Sequence, residues 1–72
     1  MNVNIGQLVK IIYARDQPPW IRNIIDKIGL IVDKYSFTVS YSSTRYKVLI
    51  EEKIYDVHPL DLEPLNDHDT QQ

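Results

Sequence analysis

Residues 46–65, YKVLIEEKIYDVHPLDLEPL, decide the fold. Side chains alternate faces along a strand, so Tyr46, Val48 and Ile50 share one face while Lys47 and Leu49 share the other. The run KIYDVH alternates in the same way. A two-residue loop at Glu51-Glu52 sets Leu49 opposite Ile54, Val48 opposite Tyr55, Lys47 opposite Asp56 and Tyr46 opposite Val57. Apolar residues then meet apolar residues, and the internal charge pair has opposite signs, as cross-strand pairing favours. Tight two-residue turns prefer Asn-Gly or Asp-Gly, because both central residues need positive φ. Glu-Glu supplies neither, so a longer or bulged turn is the alternative.

On the C-terminal side, His58 to Leu65 (HPLDLEPL) is too broken by proline for a helix of any length. A 3-10 turn followed by a short edge segment fits it. Asn66 to Gln72 (NDHDTQQ) contains no apolar residue and is expected to be a disordered tail, which puts the folded domain at 1–65. On the N-terminal side, Ser42-Ser43-Thr44 is a polar turn preceded by Phe37-Thr38-Val39-Ser40-Tyr41, with large apolar side chains on one face and hydroxyls on the other. Ile28 to Tyr35 (IGLIVDKY) predicts another strand, its Gly29 suited to a bulge or a close backbone approach.

Leu8 to Tyr13 (LVKIIY) predicts the first strand, with Val9, Ile11 and Tyr13 on one face and Leu8, Lys10 and Ile12 on the other. Both faces are largely apolar, as expected of a barrel strand covered on each side. Between these strands Asp16-Gln17-Pro18-Pro19 cannot continue a paired strand, since neither proline has a donor N–H. Trp20 to Lys27 (WIRNIIDK) fits either one or two helical turns or an extended loop whose Trp covers the barrel mouth.

Seventy-two residues make one small domain with no cysteine, hence no disulfide and no thiolate metal site. Ile, Val and Tyr are abundant and Ala14 is the only alanine, a bias toward strands. No apolar run approaches bilayer length. The net charge of −2 is unevenly spread. Residues 1–47 carry seven Lys or Arg against Asp16, Asp26 and Asp33, a net +4; residues 48–72 carry Lys53 against seven Asp or Glu, a net −6. Such polarity suits a basic partner surface or, more simply, two halves that neutralise each other across a sheet.

Five short strands, a long first loop and a late 3-10 turn outline a mostly-β, SH3-like five-stranded barrel. Gly6-Gln7-Leu8-Val9-Lys10, Ile28-Gly29-Leu30-Ile31-Val32-Asp33, Tyr46-Lys47-Val48-Leu49-Ile50 with Lys53-Ile54-Tyr55, and Leu60-Asp61-Leu62-Glu63 resemble small SH3-like proteins encoded by tailed bacteriophages, including phages of cyanobacteria. The resemblance spans most of residues 5–65 and rests on strand and turn positions. It departs at Glu51-Glu52, where such proteins often carry a glycine, and in a longer Pro18-Pro19-Trp20 loop. It implies a phage protein in the host cytoplasm or the virion, and it implies no particular activity.

Chemistry is sparsely signalled. His58 and His68 lack the convergent ligands a zinc site requires, so no metal or other cofactor is expected. Ser36, Ser40, Ser42 and Ser43 have no positioned base, and no catalytic constellation is present, so no enzyme is expected. Nucleic-acid binding is the rival class: seven aromatic residues could stack on bases, and Lys10, Arg15, Arg22, Lys27, Lys34, Arg45 and Lys47 could track phosphates. A pI near 5.5 argues against it. Protein recognition has the better surface, the first loop, with Pro18, Pro19, Trp20 and Ile21 flanked by Arg15 and Arg22. Trp and Arg dominate binding hot spots; the competing role for Trp20 is as a cap on its own core. Association with a second copy through an edge strand is a further expectation, because small barrels seldom bury every edge.

Overall fold

The computed structural model describes residues 3–36 and 43–65. Five antiparallel strands form one sheet: β1 (Leu8–Ile11), β2 (Ile28–Ser36), β3 (Thr44–Ile50), β4 (Lys53–Val57) and β5 (Leu62–Pro64). Their spatial order is β4-β3-β2-β1-β5, with a 3-10 turn at Pro59–Asp61 carrying the chain from β4 to β5. No ladder joins β4 to β5 among the described residues, so the sheet is open rather than a closed barrel. The fifth strand is supplied by the segment after the 3-10 turn. The strand predicted at 37–41 and the tail at 66–72 lie outside the described residues.

The β3–β4 hairpin has the register that the alternation predicts. Tyr46 pairs with Val57, Lys47 with Asp56, Val48 with Tyr55, Leu49 with Ile54 and Ile50 with Lys53. The turn is the two-residue form, and both of its residues are left-handed, Glu51 at φ 51° and Glu52 at φ 76°. That geometry matches the strands' twist, and it costs an L-residue roughly 1–2 kcal/mol relative to glycine or asparagine. Pairing on both sides of the turn overrides the local preference.

β2 is the longest strand, and its pairing with β3 slips by one residue between Ile31 and Asp33. Val32 is the extra residue, and such a bulge bends a strand and sharpens its twist. Gly29 serves a different need. A Cβ there would lie 2.4 Å from Val48 Cγ1 and 2.8 Å from Ile50 Cγ1, so the close approach of β2 to the inner side chains of β3 requires glycine.

Val9, Ile11, Ile31, Tyr46, Val48, Ile50, Val57 and Leu62 fill the inner face of the sheet. The connection between β1 and β2 folds over that face and contributes Ala14 and Ile24; Val3 joins from the N-terminal side. The outer face is different from expectation. Leu8 and Ile12 are 50 % and 45 % exposed, so β1 is covered on one side only among the described residues. The predicted first strand also ends two residues early. Ile12 N–H donates to the carbonyl of Asp61 (2.8 Å), which turns the chain toward the 3-10 segment and leaves Tyr13 at the surface rather than beside Val9 and Ile11.

The uneven charge of the sequence is neutralised across the fold. Arg15–Asp61, Lys27–Glu51 and Lys47–Asp56 each join the basic N-terminal part to the acidic C-terminal part. On the outer face, Lys47 Nζ sits 3.0 Å from Asp56 Oδ1 and 5.0 Å from the centroid of the Tyr35 ring. The hydrogen bond to Asp56 raises the Lys47 pKa above its ordinary 10.5. Desolvation, with the Asp56 charge next, raises the Tyr35 phenol above 10.0.

Two expectations follow from these elements. Glu52→Gly removes a left-handed non-glycine while keeping the Lys27–Glu51 pair, and should stabilise the fold by about 1 kcal/mol in urea denaturation. Both raised groups hold their protons more tightly in the folded state, so their contribution is complete below pH 10 and is lost as pH climbs through the folded values. The urea midpoint should therefore drop above pH 10.5, and Lys47→Met or Tyr35→Phe should flatten that drop.

Candidate functional site

Residues 12–27, between β1 and β2, form a closed loop whose ends are tied together. Ile11 N–H donates to Lys27 O (2.9 Å) and Asp26 N–H returns to Ile11 O (2.7 Å). Between those ends the backbone runs through a series of tight turns: Gln17 N to Ala14 O, Ile21 N to Pro18 O, Ile25 N to Arg22 O and Lys27 N to Ile24 O. The two alternatives open for residues 20–27 resolve to this chain of turns, with no helix. A loop of this kind, with adjoining ends and its own packed side chains, is an Ω-type loop.

Four side-chain contacts fasten the loop's first half. Asp61 is fully buried, and its Oδ2 accepts from the backbone N–H of Arg15 (3.0 Å) while its Oδ1 accepts from Arg15 Nε (2.8 Å). Asp16 Oδ2 lies 2.6 Å from Arg45 Nε on β3, with both side chains largely sheltered. Gln17 Nε2 donates to the backbone carbonyl of Asp56 on β4 (2.6 Å). A proline-bearing segment with little apolar content of its own is therefore held by polar contacts to β3, β4 and the 3-10 turn.

The tip of the loop is where the predicted site residues gather. Pro19 occupies the second position of the Pro18–Ile21 turn, where its fixed φ suits the geometry. Trp20 follows it and is 79 % exposed, so it neither caps the core nor covers a barrel mouth. Ile21 points the other way and packs partly against the core. Arg15 and Arg22 converge on Tyr13, their guanidinium carbons 6.0 and 5.6 Å from the ring centroid, within cation–π range. Arg15, Pro19, Trp20 and Arg22 thus form an exposed group, while Pro18 and Ile21 support it from half-buried positions.

Tyr13, 46 % exposed, belongs to this surface and is not recoverable from the strand alternation, which assigns it to the inner face. Asp61 is the other residue the pattern misses as a determinant of the site. Its burial rests on Arg15, 46 residues away, and no local pattern signals it.

A shallow depression with no room for a water-sized molecule lies between the loop and β4, lined by Tyr13, Ala14, Asp16, Gln17, Ile24, Asp56, Val57 and Asp61. His58 Nδ1 accepts from Leu60 N–H (3.0 Å) as the N-cap of the 3-10 turn. No group of three potential metal ligands occurs among the described residues, and His68 lies outside them. Arg45 is engaged by Asp16. Comparison with protein families, with curated proteins and with solved structures returns no match.

The Asp61 clamp is testable apart from any partner. Asp61→Asn keeps the size and one acceptor but loses the charge, and should destabilise the fold by about 3 kcal/mol. Proteolysis should then cut first within residues 12–22. A variant that loses stability with no new cleavage there would show that the clamp does not hold the loop.

Proposed function

We propose that this chain is a non-catalytic protein-interaction module of the SH3-like class that grips a protein partner through the loop following β1. The observation that carries the proposal is Trp20, 79 % exposed at the tip of a loop whose flanks are fixed by buried and sheltered polar contacts. Leaving an indole in water has no value for folding. Presented on a pre-ordered turn beside Tyr13 and two guanidiniums, it fits the rigid aromatic and Arg anchors that dominate hot spots.

The SH3-like assignment is supported by the strand order β4-β3-β2-β1-β5, by a long β2 bent at its bulge, and by the 3-10 turn between the last two strands. In this reading the sheet is a barrel left open between β4 and β5. The resemblance of residues 5–65 to proteins of tailed phages supports a setting in the virion, its assembly, or the capture of a host protein. Nucleic-acid binding is the less favoured class, because Lys10, Arg15, Lys27, Arg45 and Lys47 already have carboxylate partners. Tyr46, moreover, is buried in the core.

Trp20→Ala separates these possibilities. It should abolish capture of protein from a lysate of infected cells while moving the urea midpoint by less than about 0.5 kcal/mol equivalent, as for an exposed side chain. Unfolding of the variant would make Trp20 structural. Retention of nucleic acid that weakens steeply with salt would favour the rival class.

A further inference from the structure

The outer face of the sheet carries an apolar row that crosses four strands. Leu8 pairs with Leu30, Leu30 with Leu49, and Leu49 with Ile54, so one side chain from each of β1, β2, β3 and β4 lies in line. Leu8 and Ile54, at the two ends, are 50 % and 59 % exposed, and Ile28 beside the row is 47 % exposed. Leucine and isoleucine at successive paired positions on a solvent face are costly unless something covers them, and a contiguous exposed apolar patch marks an interaction surface.

We infer that this face binds the same face of a second copy of the chain, in a two-fold dimer. The argument is one of matching. The cations that border the row are Lys10, Lys27 and Lys47, and each has a carboxylate of its own chain within 3.9, 2.9 and 3.0 Å respectively, on Asp26, Glu51 and Asp56. A rim neutralised in this way does not call for a polyanion or a strongly charged protein.

A two-fold axis parallel to the strands, passing between β2 and β3, superposes the pattern on itself with complementary partners. It lays Leu30 over the second copy's Leu49, and Leu8 over its Ile54. In the next row Asp33, paired in register with Lys47 of its own chain, comes over the Lys47 of the other copy. On the opposite side Lys10 comes over Glu52 of the other copy's turn. Along the row apolar meets apolar, and the Asp33–Lys47 and Lys10–Glu52 contacts join opposite charges, twice by symmetry. That is the self-complementarity an isologous interface requires, and sheets packed face to face tolerate the crossing of about 30° that their twist imposes.

The surface is distinct from the Trp20 loop, which covers the inner face, so the two can fail separately. Sedimentation equilibrium of the full chain from micromolar to millimolar concentration should show a reversible monomer–dimer equilibrium. Ile54→Glu should abolish the dimer with an unchanged circular dichroism spectrum, whereas Trp20→Ala should leave the dimer intact. Lys10→Glu and Glu52→Lys should each weaken it roughly tenfold, because symmetry repeats the lost pair, and the double variant should restore it. A chain that stays monomeric throughout, a dimer indifferent to Ile54→Glu, or charge reversals that do not rescue each other would overturn the assignment.

Discussion

A single buried carboxylate holds two distant parts of this chain together. Asp61 has no solvent exposure, and both of its oxygens are occupied by Arg15, one by the backbone N–H and one by the guanidinium. Its own carbonyl takes the Ile12 N–H, and its N–H returns to the carbonyl of His58. One residue thereby closes the 3-10 turn, starts β5 on its path beside β1, and fixes the point at which the first loop leaves the sheet. A buried charge that lacked any of these bonds would be destabilising by several kcal/mol, on the order of the whole stability of a domain this size. With them, it specifies a single arrangement of the turn and loop.

The two faces of the sheet differ in how they are covered. The inner face is sealed by the loop, with Ala14 and Ile24 dropped into the core, and the loop is stiffened by contacts that ordinary apolar packing would not supply. Stiffening matters because binding through a mobile loop forfeits the entropy of ordering it. The outer face has no such cover among the described residues. The two surfaces differ in chemistry: aromatic and cationic at the loop, aliphatic with paired lysines at its rim on the sheet.

Gln17 shows how loop and sheet edge are coupled. β4 ends the sheet on one side, and the two-residue hairpin directs the backbone groups of Ile54 and Asp56 away from β3. Gln17 Nε2 takes the Asp56 carbonyl and so occupies part of that edge. Unpaired edges invite uncontrolled pairing with other strands, and a side chain that occupies an outward carbonyl limits it. On the other edge β5 ends in Pro64, which has no N–H to offer. Each edge thus carries one feature that limits pairing with another strand.

The local parts of this structure were legible in the sequence, and the non-local parts were not. The hairpin register from Tyr46–Val57 to Ile50–Lys53 follows from alternation alone, because pairing across a two-residue turn is decided by neighbours. The 3-10 turn and the long first loop follow from where proline removes a donor. Even the strained turn was identifiable as the place where Glu-Glu disagrees with its geometry; long-range pairing decided that the hairpin would hold. Tertiary structure alone determined that Tyr13 leaves its strand, that Trp20 stands in solvent, that Asp61 is buried and that Leu8 and Ile54, at the ends of the outer row, stand exposed. Each of these depends on contacts between residues far apart in the chain, Arg15 and Asp61 being 46 residues apart. Periodicity records which side chains share a face of a strand, but whether anything covers that face is set by the path of the rest of the chain.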